Sequence, residues 1–167
     1  MIKAEGIHKT FEDFTALDNI TCNISDGCIY GMVGSNGAGK STFLRVLSGI
    51  YKPDKGCAYI DDEPIYENPK VKENIVFVSD ELFFLPGATM SKMADFYSSI
   101  YDRFNYDRFL KLAELFELNI KKPIANFSKG MKRQASIILA LSTRAKYMFF
   151  DETFDGLDPV MRNLVKK

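Results

Sequence analysis

Residues 34–42 read GSNGAGKST, and residues of these types in this order could grip an anion. Glycines at 34, 37 and 39 carry no Cβ and accept positive φ, so successive backbone N–H groups can approach a phosphate closely. Lys40 is a long cation able to reach β- and γ-phosphates, and the Ser41 hydroxyl can join the coordination of Mg²⁺. The pattern GxxxxGK[ST] carries this meaning between a strand and a helix. Here it follows the apolar run CIYGMVG (28–34) and precedes Phe43, Leu44 and Leu47 at helical spacing. The alternative is a glycine-rich turn with an exposed lysine.

Two further stretches hold chemistry. In FFDETFDGLDP (149–159), Asp151 and Glu152 follow the apolar run YMFF (147–150). A parallel α/β sheet binds ligands at the carboxyl ends of its strands. Asp151 is therefore a candidate to hold Mg²⁺ through water, and Glu152 to polarise an attacking water. Taken alone, such a pair is more often a strand end entering a polar loop, and the glycine-rich loop upstream reverses that balance. In FSKGMKRQ (127–134), Ser128 and Gly130 open an amphipathic helix through Met131, Ala135 and Ile138, and the plain reading of Ser128 is an N-cap. Ser128 lies 23 residues before Asp151, room for one helix of about 20 Å and a turn back into the sheet.

The elements that must position these residues follow from hydrophobic period. Runs 28–34, 75–78 and 147–150 are continuously apolar and predict central parallel strands covered on both faces. Ile20, Cys22 and Ile24 alternate with polar residues as in a half-buried strand, IKAE (2–5) does so more weakly, and another strand is expected near 57–60. Gly49, Pro53 and Gly56 stop the helix that follows Lys40. From 88 to 120 the apolar residues recur at three and four, which predicts a helical insert. The expectation is one α/β domain carrying a helical subdomain.

Composition narrows the class. With 167 residues, 46% hydrophobic content and 22 basic against 22 acidic residues, the chain suits one compact domain and shows no electrostatic footprint for nucleic acid or anionic lipid. Nucleic acid is not an expected partner. Cys22, Cys28 and Cys57 form no CxxC pair and His8 is the sole histidine, which argues against zinc. The opening MIKAEG lacks the apolar core of a signal peptide, and the longest apolar stretch is far below the roughly 20 residues of a membrane span. The chain is expected to be cytosolic.

Together these motifs resemble the ATP-binding cassette family, the nucleotide-binding domains of ABC transporters, along the whole chain. GSNGAGKST resembles its Walker A motif, FSKGM its signature, YMFFDE its Walker B motif with the catalytic glutamate, and GLDP its D-loop, in the family's order and spacing. The resemblance implies a P-loop NTPase fold of the ABC type spanning 1–167, with an antiparallel β subdomain and a helical signature subdomain at about 88–135. It implies ATP and Mg²⁺ as ligands, held by Gly34, Ser35, Asn36, Gly37, Ala38, Gly39, Lys40, Ser41 and Thr42. Mg²⁺ would be held by Ser41 and Asp151, and Glu152 would be catalytic. It further implies a head-to-tail dimer in which Ser128 and Gly130 contact the γ-phosphate in trans and Asp158 bridges the subunits. A transmembrane permease subunit and a second ATPase subunit are the implied partners, with the chain peripheral on the inner face of the cell membrane.

Phe11 resembles the A-loop aromatic that stacks on adenine, a contact worth about 1–3 kcal/mol, with Phe14 as its rival and a core role as the alternative. The Q-loop position, usually Gln, is Asp80 in FVSDELFF (77–84), either a catalytic and Mg²⁺-linked acid or a solvated turn acid. Three departures stand out. Lys129 and Met131 occupy signature positions where Gly and Gln are commonest, a form similar to bacterial exporters. Thr153 stands where proline is usual. No histidine follows residue 8, whereas the family carries a switch histidine on a later strand, so the expectation is a chain lacking the C-terminal strands, with MgATP binding and little turnover. The rival readings are a soluble ABC-type switch acting on a ribosome or DNA-repair partner, which the single cassette without a basic arm argues against, and a GTPase or small-molecule kinase, for which no NKxD sequence is present.

Overall fold

The computed structural model describes residues 1–152, which belong to two compact units, 1–74 and from 75 onward. Thr153, Asp158 and the rest of the D-loop lie outside the described residues.

The first unit is built on a four-stranded antiparallel sheet in the order β2-β1-β3-β4, from β1 (Ile2–Phe11), β2 (Phe14–Ile24), β3 (Lys55–Ile60) and β4 (Glu63–Pro64). Ile2, Ala4 and Ile7 of β1 are buried, as are Leu17 and Ile24 of β2 and Ala58 and Ile60 of β3. Helix α1 (Lys40–Leu47) buries Phe43, Val46 and Leu47. A short helix α2 (Pro69–Lys72) follows, with Asn68 as its cap. The β1–β2 hairpin turns through Glu12 and Asp13, with Glu12 at φ 49° and Phe11 facing Phe14 across the turn. That positive φ matches the twist of a two-residue hairpin.

In the second unit β5 (Ile75–Val78) and β6 (Tyr147–Phe150) pair in parallel, Ile75 opposite Tyr147 and Val78 opposite Phe150. Both apolar runs thus form the parallel strands their composition predicts. Helices α3 (Met90–Ser98) and α4 (Tyr106–Leu115) occupy the region where the helical period falls, and α5 (Lys129–Ser142) leads towards β6. Thr89, Asn105 and Ser128 cap α3, α4 and α5 by accepting from Lys92, Arg108 and Met131 N–H, each the third residue of its helix. Met90, Met93, Phe109, Leu112, Ile137, Ile138 and Leu139 form the core of this unit. Burial of side chains this size contributes about 1.5–3 kcal/mol each.

One expectation fails. Residues 28–34 form no strand and belong to neither sheet, and Ile29 and Val33 are 73% and 101% exposed. A continuous apolar run states a demand for cover on both faces, but a parallel strand exists only where neighbours complete its hydrogen bonds. The four strands of the first unit are all antiparallel, and β5 and β6 pair with each other, so among the described residues no ladder includes this run.

Candidate nucleotide-binding site

The loop at 34–40 is shaped by glycines with two different needs. Gly39, at φ 85°, is the N-cap of α1, and its carbonyl accepts from Phe43 N at 2.8 Å to start the helix. A Cβ at 39 would stand 2.3 Å from the Ala16 carbonyl oxygen and 3.1 Å from Leu17 Cδ2, so β2 runs against the loop where it becomes helix. Gly37, at φ 81°, would meet nothing within 4 Å; there the requirement is conformational alone. Ala38 N donates to Ser35 O at 3.2 Å and closes the turn, and Ser35, Asn36 and Ala38 are exposed.

Charge at this end of α1 is one-sided. Gly39 offers no side-chain cap and the first turn contains no acid. The first backbone N–H groups and the helix dipole therefore present positive potential, the condition for binding an anion. Lys40 Nζ donates to Gly34 O at 2.8 Å and Ser35 O at 2.9 Å, clasping the loop it follows. Ser41 and Thr42 complete the first turn. These residues fit a polyphosphate: a cation, a hydroxyl and a row of N–H donors.

Both aromatic candidates stand at the turn end of the β1–β2 hairpin. Phe11 is 40% exposed and Phe14 59%, so neither is a core residue. Phe11 meets the Tyr51 ring edge-on at 5.5 Å between centroids and lies under Lys9 Nζ at 5.4 Å, while Arg45 lies over Tyr51 at 5.7 Å. Phe14 begins the stretch of β2 that reaches Ala16 beside Gly39.

The acids form a separate group in the second unit. Asp151 is buried at the end of β6, and its backbone N–H extends the parallel ladder by donating to Val78 O at 2.9 Å. Glu152 follows, exposed and at φ 50°, a left-handed conformation costing a side-chain-bearing residue about 1–2 kcal/mol. Asp80, two residues beyond Val78, accepts from Arg133 Nη2 at 2.9 Å. Asp80 is thus an ion-paired acid on an exposed bend. Arg133 was not among the candidates because, by sequence, it is one charge in a basic helix start. Its signal was position: one turn beyond the Ser128–Met131 cap.

At α5, Ser128 Oγ accepts from Met131 N at 3.2 Å, so the N-cap reading holds. A Cβ at Gly130 would meet only Ser128 Oγ at 4.0 Å, which means that packing inside the chain does not require glycine there. Mg²⁺ held beside polyphosphate takes one or two protein oxygens with phosphate and water. The Ser41 hydroxyl and the Asp151 carboxylate are donors of that kind, and among the described residues no group of three or more His, Cys, Asp or Glu side chains is arranged to hold a metal by itself. No helix among them is long and apolar enough to cross a membrane.

Loop and strand-end acids of this design, on this fold, define an ATP-binding cassette. A solved ATP-binding subunit of an ABC transporter superposes with a TM-score of 0.87 at 22% identity, covering 97% of this chain and 70% of that one, which shows the shared fold. The ABC transporter ATP-binding protein YtrB of Bacillus subtilis is 31% identical over 163 residues, 98% of this chain and 56% of YtrB. A probable sulfate/thiosulfate import ATP-binding protein, CysA of Chlorella vulgaris, is 30% identical over 171 residues, 99% of this chain and 72% of CysA. The ABC transporter family profile matches residues 17–155, and the chain belongs to that family. It spans little more than half the length of YtrB.

Proposed function

We propose that this chain is the nucleotide-binding part of an ABC transporter ATPase subunit, working as one half of an ATP-sandwich dimer that drives a transmembrane permease. The observation that carries this reading is the loop at 34–40: two left-handed glycines, an uncapped helix start without acids, and Lys40 folded across the loop.

In this reading the backbone N–H groups from Gly37 to Ser41 and the Lys40 ammonium bind the β- and γ-phosphates, and Ser41 and Asp151 hold Mg²⁺, Asp151 through water. Bound Mg²⁺ neutralises charge that develops on the phosphate oxygens. Glu152 accepts a hydrogen bond from the attacking water and orients it. Asp80 would reach the metal through water. Phe11, or Phe14 from the other side of the hairpin, stacks on the base. Ser128 and Gly130 act on the partner subunit's nucleotide, where the α5 N-terminus offers its N–H groups to the γ-phosphate. The open space at Gly130 supports this, since a glycine not demanded by internal packing suits close approach from outside. Asp158 bridges the two subunits. Such a two-fold interface is self-complementary, so each motif serves both sites. Cytoplasmic placement beside the permease belongs to the same reading, and export is supported by the Ser-Lys-Gly-Met form of the signature, although the name of CysA states import.

The test is nucleotide binding and turnover in the complete subunit. Lys40→Ala should reduce MgATP affinity at least tenfold, while Glu152→Gln should keep affinity and lower hydrolysis about 10²–10⁴-fold. Unchanged affinity in Lys40→Ala, measured by equilibrium titration, refutes the assignment of the loop.

A further inference from the structure

Asp80 and Arg133 are 53 residues apart and meet at 2.9 Å. Their surroundings are unequal: the Arg133 side chain is 12% exposed and that of Asp80 is 52%. The less exposed partner is therefore the cation. A guanidinium fixed along its stem presents its donors in one direction, and the half-open carboxylate is what it places. The place matters, because Val78, two residues before Asp80, is bonded through its carbonyl to Asp151 N at 2.9 Å. Arg133 thus brings α5 to the strand end where the buried Asp151 sits. The same α-helix begins at Ser128 and Gly130.

Charge gives a second reason. Asp80, Glu81, Asp151 and Glu152 gather acids at and just beyond the ends of β5 and β6. A neutral glutamine at position 80, as in most of the family, would add no charge to this group. The shorter, ionised aspartate does, and Arg133 offsets it with a directed, charge-assisted hydrogen bond.

We propose that Arg133 is a positioning residue for Asp80: from the signature helix it fixes the carboxylate at the Q-loop position, so that Mg²⁺-dependent nucleotide binding depends on where α5 stands. The proposal rests on the ATPase reading above. It assigns a role to a residue outside the loop, the strand-end acids and the signature cap. It also gives α5 two functions on one rigid rod, Ser128 and Gly130 for the partner's nucleotide and Arg133 for the subunit's own metal-linked acid.

The experiment compares wild type, Arg133→Met, Arg133→Lys, Asp80→Ala and the Asp80→Ala/Arg133→Met double variant in the complete subunit. Methionine keeps the buried stem and removes the charge. A fluorescent ATP analogue is titrated with EDTA present and then across Mg²⁺ concentrations. The expected result for Arg133→Met is Mg²⁺-free affinity within twofold of wild type and a three- to tenfold higher Mg²⁺ requirement. Asp80→Ala should show the same shift, the double variant no further one, and Arg133→Lys a smaller one. A purely structural role would lower the affinity with and without Mg²⁺ together, and that outcome, or a wild-type Mg²⁺ requirement in Arg133→Met, overturns the proposal. Urea denaturation of the metal-free protein gives an independent reading: the midpoint shifts of the single variants should be non-additive in the double variant, and additivity also counts against the pair. Lys40→Ala serves as control. If it binds MgATP as wild type does, the ATPase reading itself falls; if it loses binding while Arg133→Met behaves as wild type, only the positioning role falls.

Discussion

Replacing Gly39 by alanine should damage the fold far more than the same change at Gly37, although both are glycines of one loop with nearly equal φ, 85° and 81°. Each substitution places a Cβ-bearing residue in the left-handed region, which costs about 1–2 kcal/mol. Gly37→Ala incurs only that, because its Cβ meets nothing within 4 Å. At 39 the new Cβ would lie 2.3 Å from the Ala16 carbonyl oxygen, and a separation of even 3.0 Å requires β2 and the loop to part by about 0.7 Å. Ala16 is strand backbone with no rotamer to yield, and forced overpacking of this kind adds about 1–3 kcal/mol. The sum for Gly39→Ala is about 2–5 kcal/mol, or about 5–15 °C in Tm for a chain of this size. Urea and thermal denaturation followed by circular dichroism measure both variants against wild type, with an unchanged urea slope showing that stability, and not the surface exposed on unfolding, was what changed. Equal losses in the two variants would refute the claim that β2 backs the loop at Gly39. A binding titration separates the roles further: Gly37→Ala should weaken nucleotide binding while remaining folded.

Gly130→Ala should leave stability unchanged or raise it by up to about 1 kcal/mol, because the site is open and alanine favours helix, yet it should block ATP-dependent dimerisation measured by light scattering; a dimer that survives contradicts the trans contact. Burial pushes the Tyr97 phenol up to about 12 from 10.0, with the neighbouring Tyr101 adding to the effect. The unfolded chain then releases this proton at lower pH than the folded one, so the contribution is whole below pH 10 and about 2–3 kcal/mol is lost as pH rises towards 12. Tyr97→Phe should remove that alkaline loss from a series of denaturation curves, and an identical pH profile would show that the phenol is not buried as described.

What could be read from sequence and what could not divides by the range of the interaction. The loop was legible because each part of GSNGAGKST acts within a few residues: glycines set φ locally, and Lys40 reaches back only to Gly34 and Ser35. The helices were legible because Met90, Met93 and Ala94, or Phe109, Leu112 and Ala113, repeat at the helical period, and their caps lie next to them. The β5 and β6 runs form strands, yet the run at 28–34 does not; it differs in carrying Gly31 and Gly34, which weaken a strand, but apolar content alone does not separate the three. The difference is the availability of a partner, which is a property of the rest of the chain. Arg133 and Asp80 fail for the same reason. Each is an ordinary surface charge in its own segment, and only the return of the chain through α5 to β6 makes them meet. The partner of the aspartate at position 80 lies 53 residues away, beyond the reach of any local pattern. A departure from a family pattern at a functional position is thus evidence about a second position as much as about the first, and the half-buried charge that touches it is where the compensation is found.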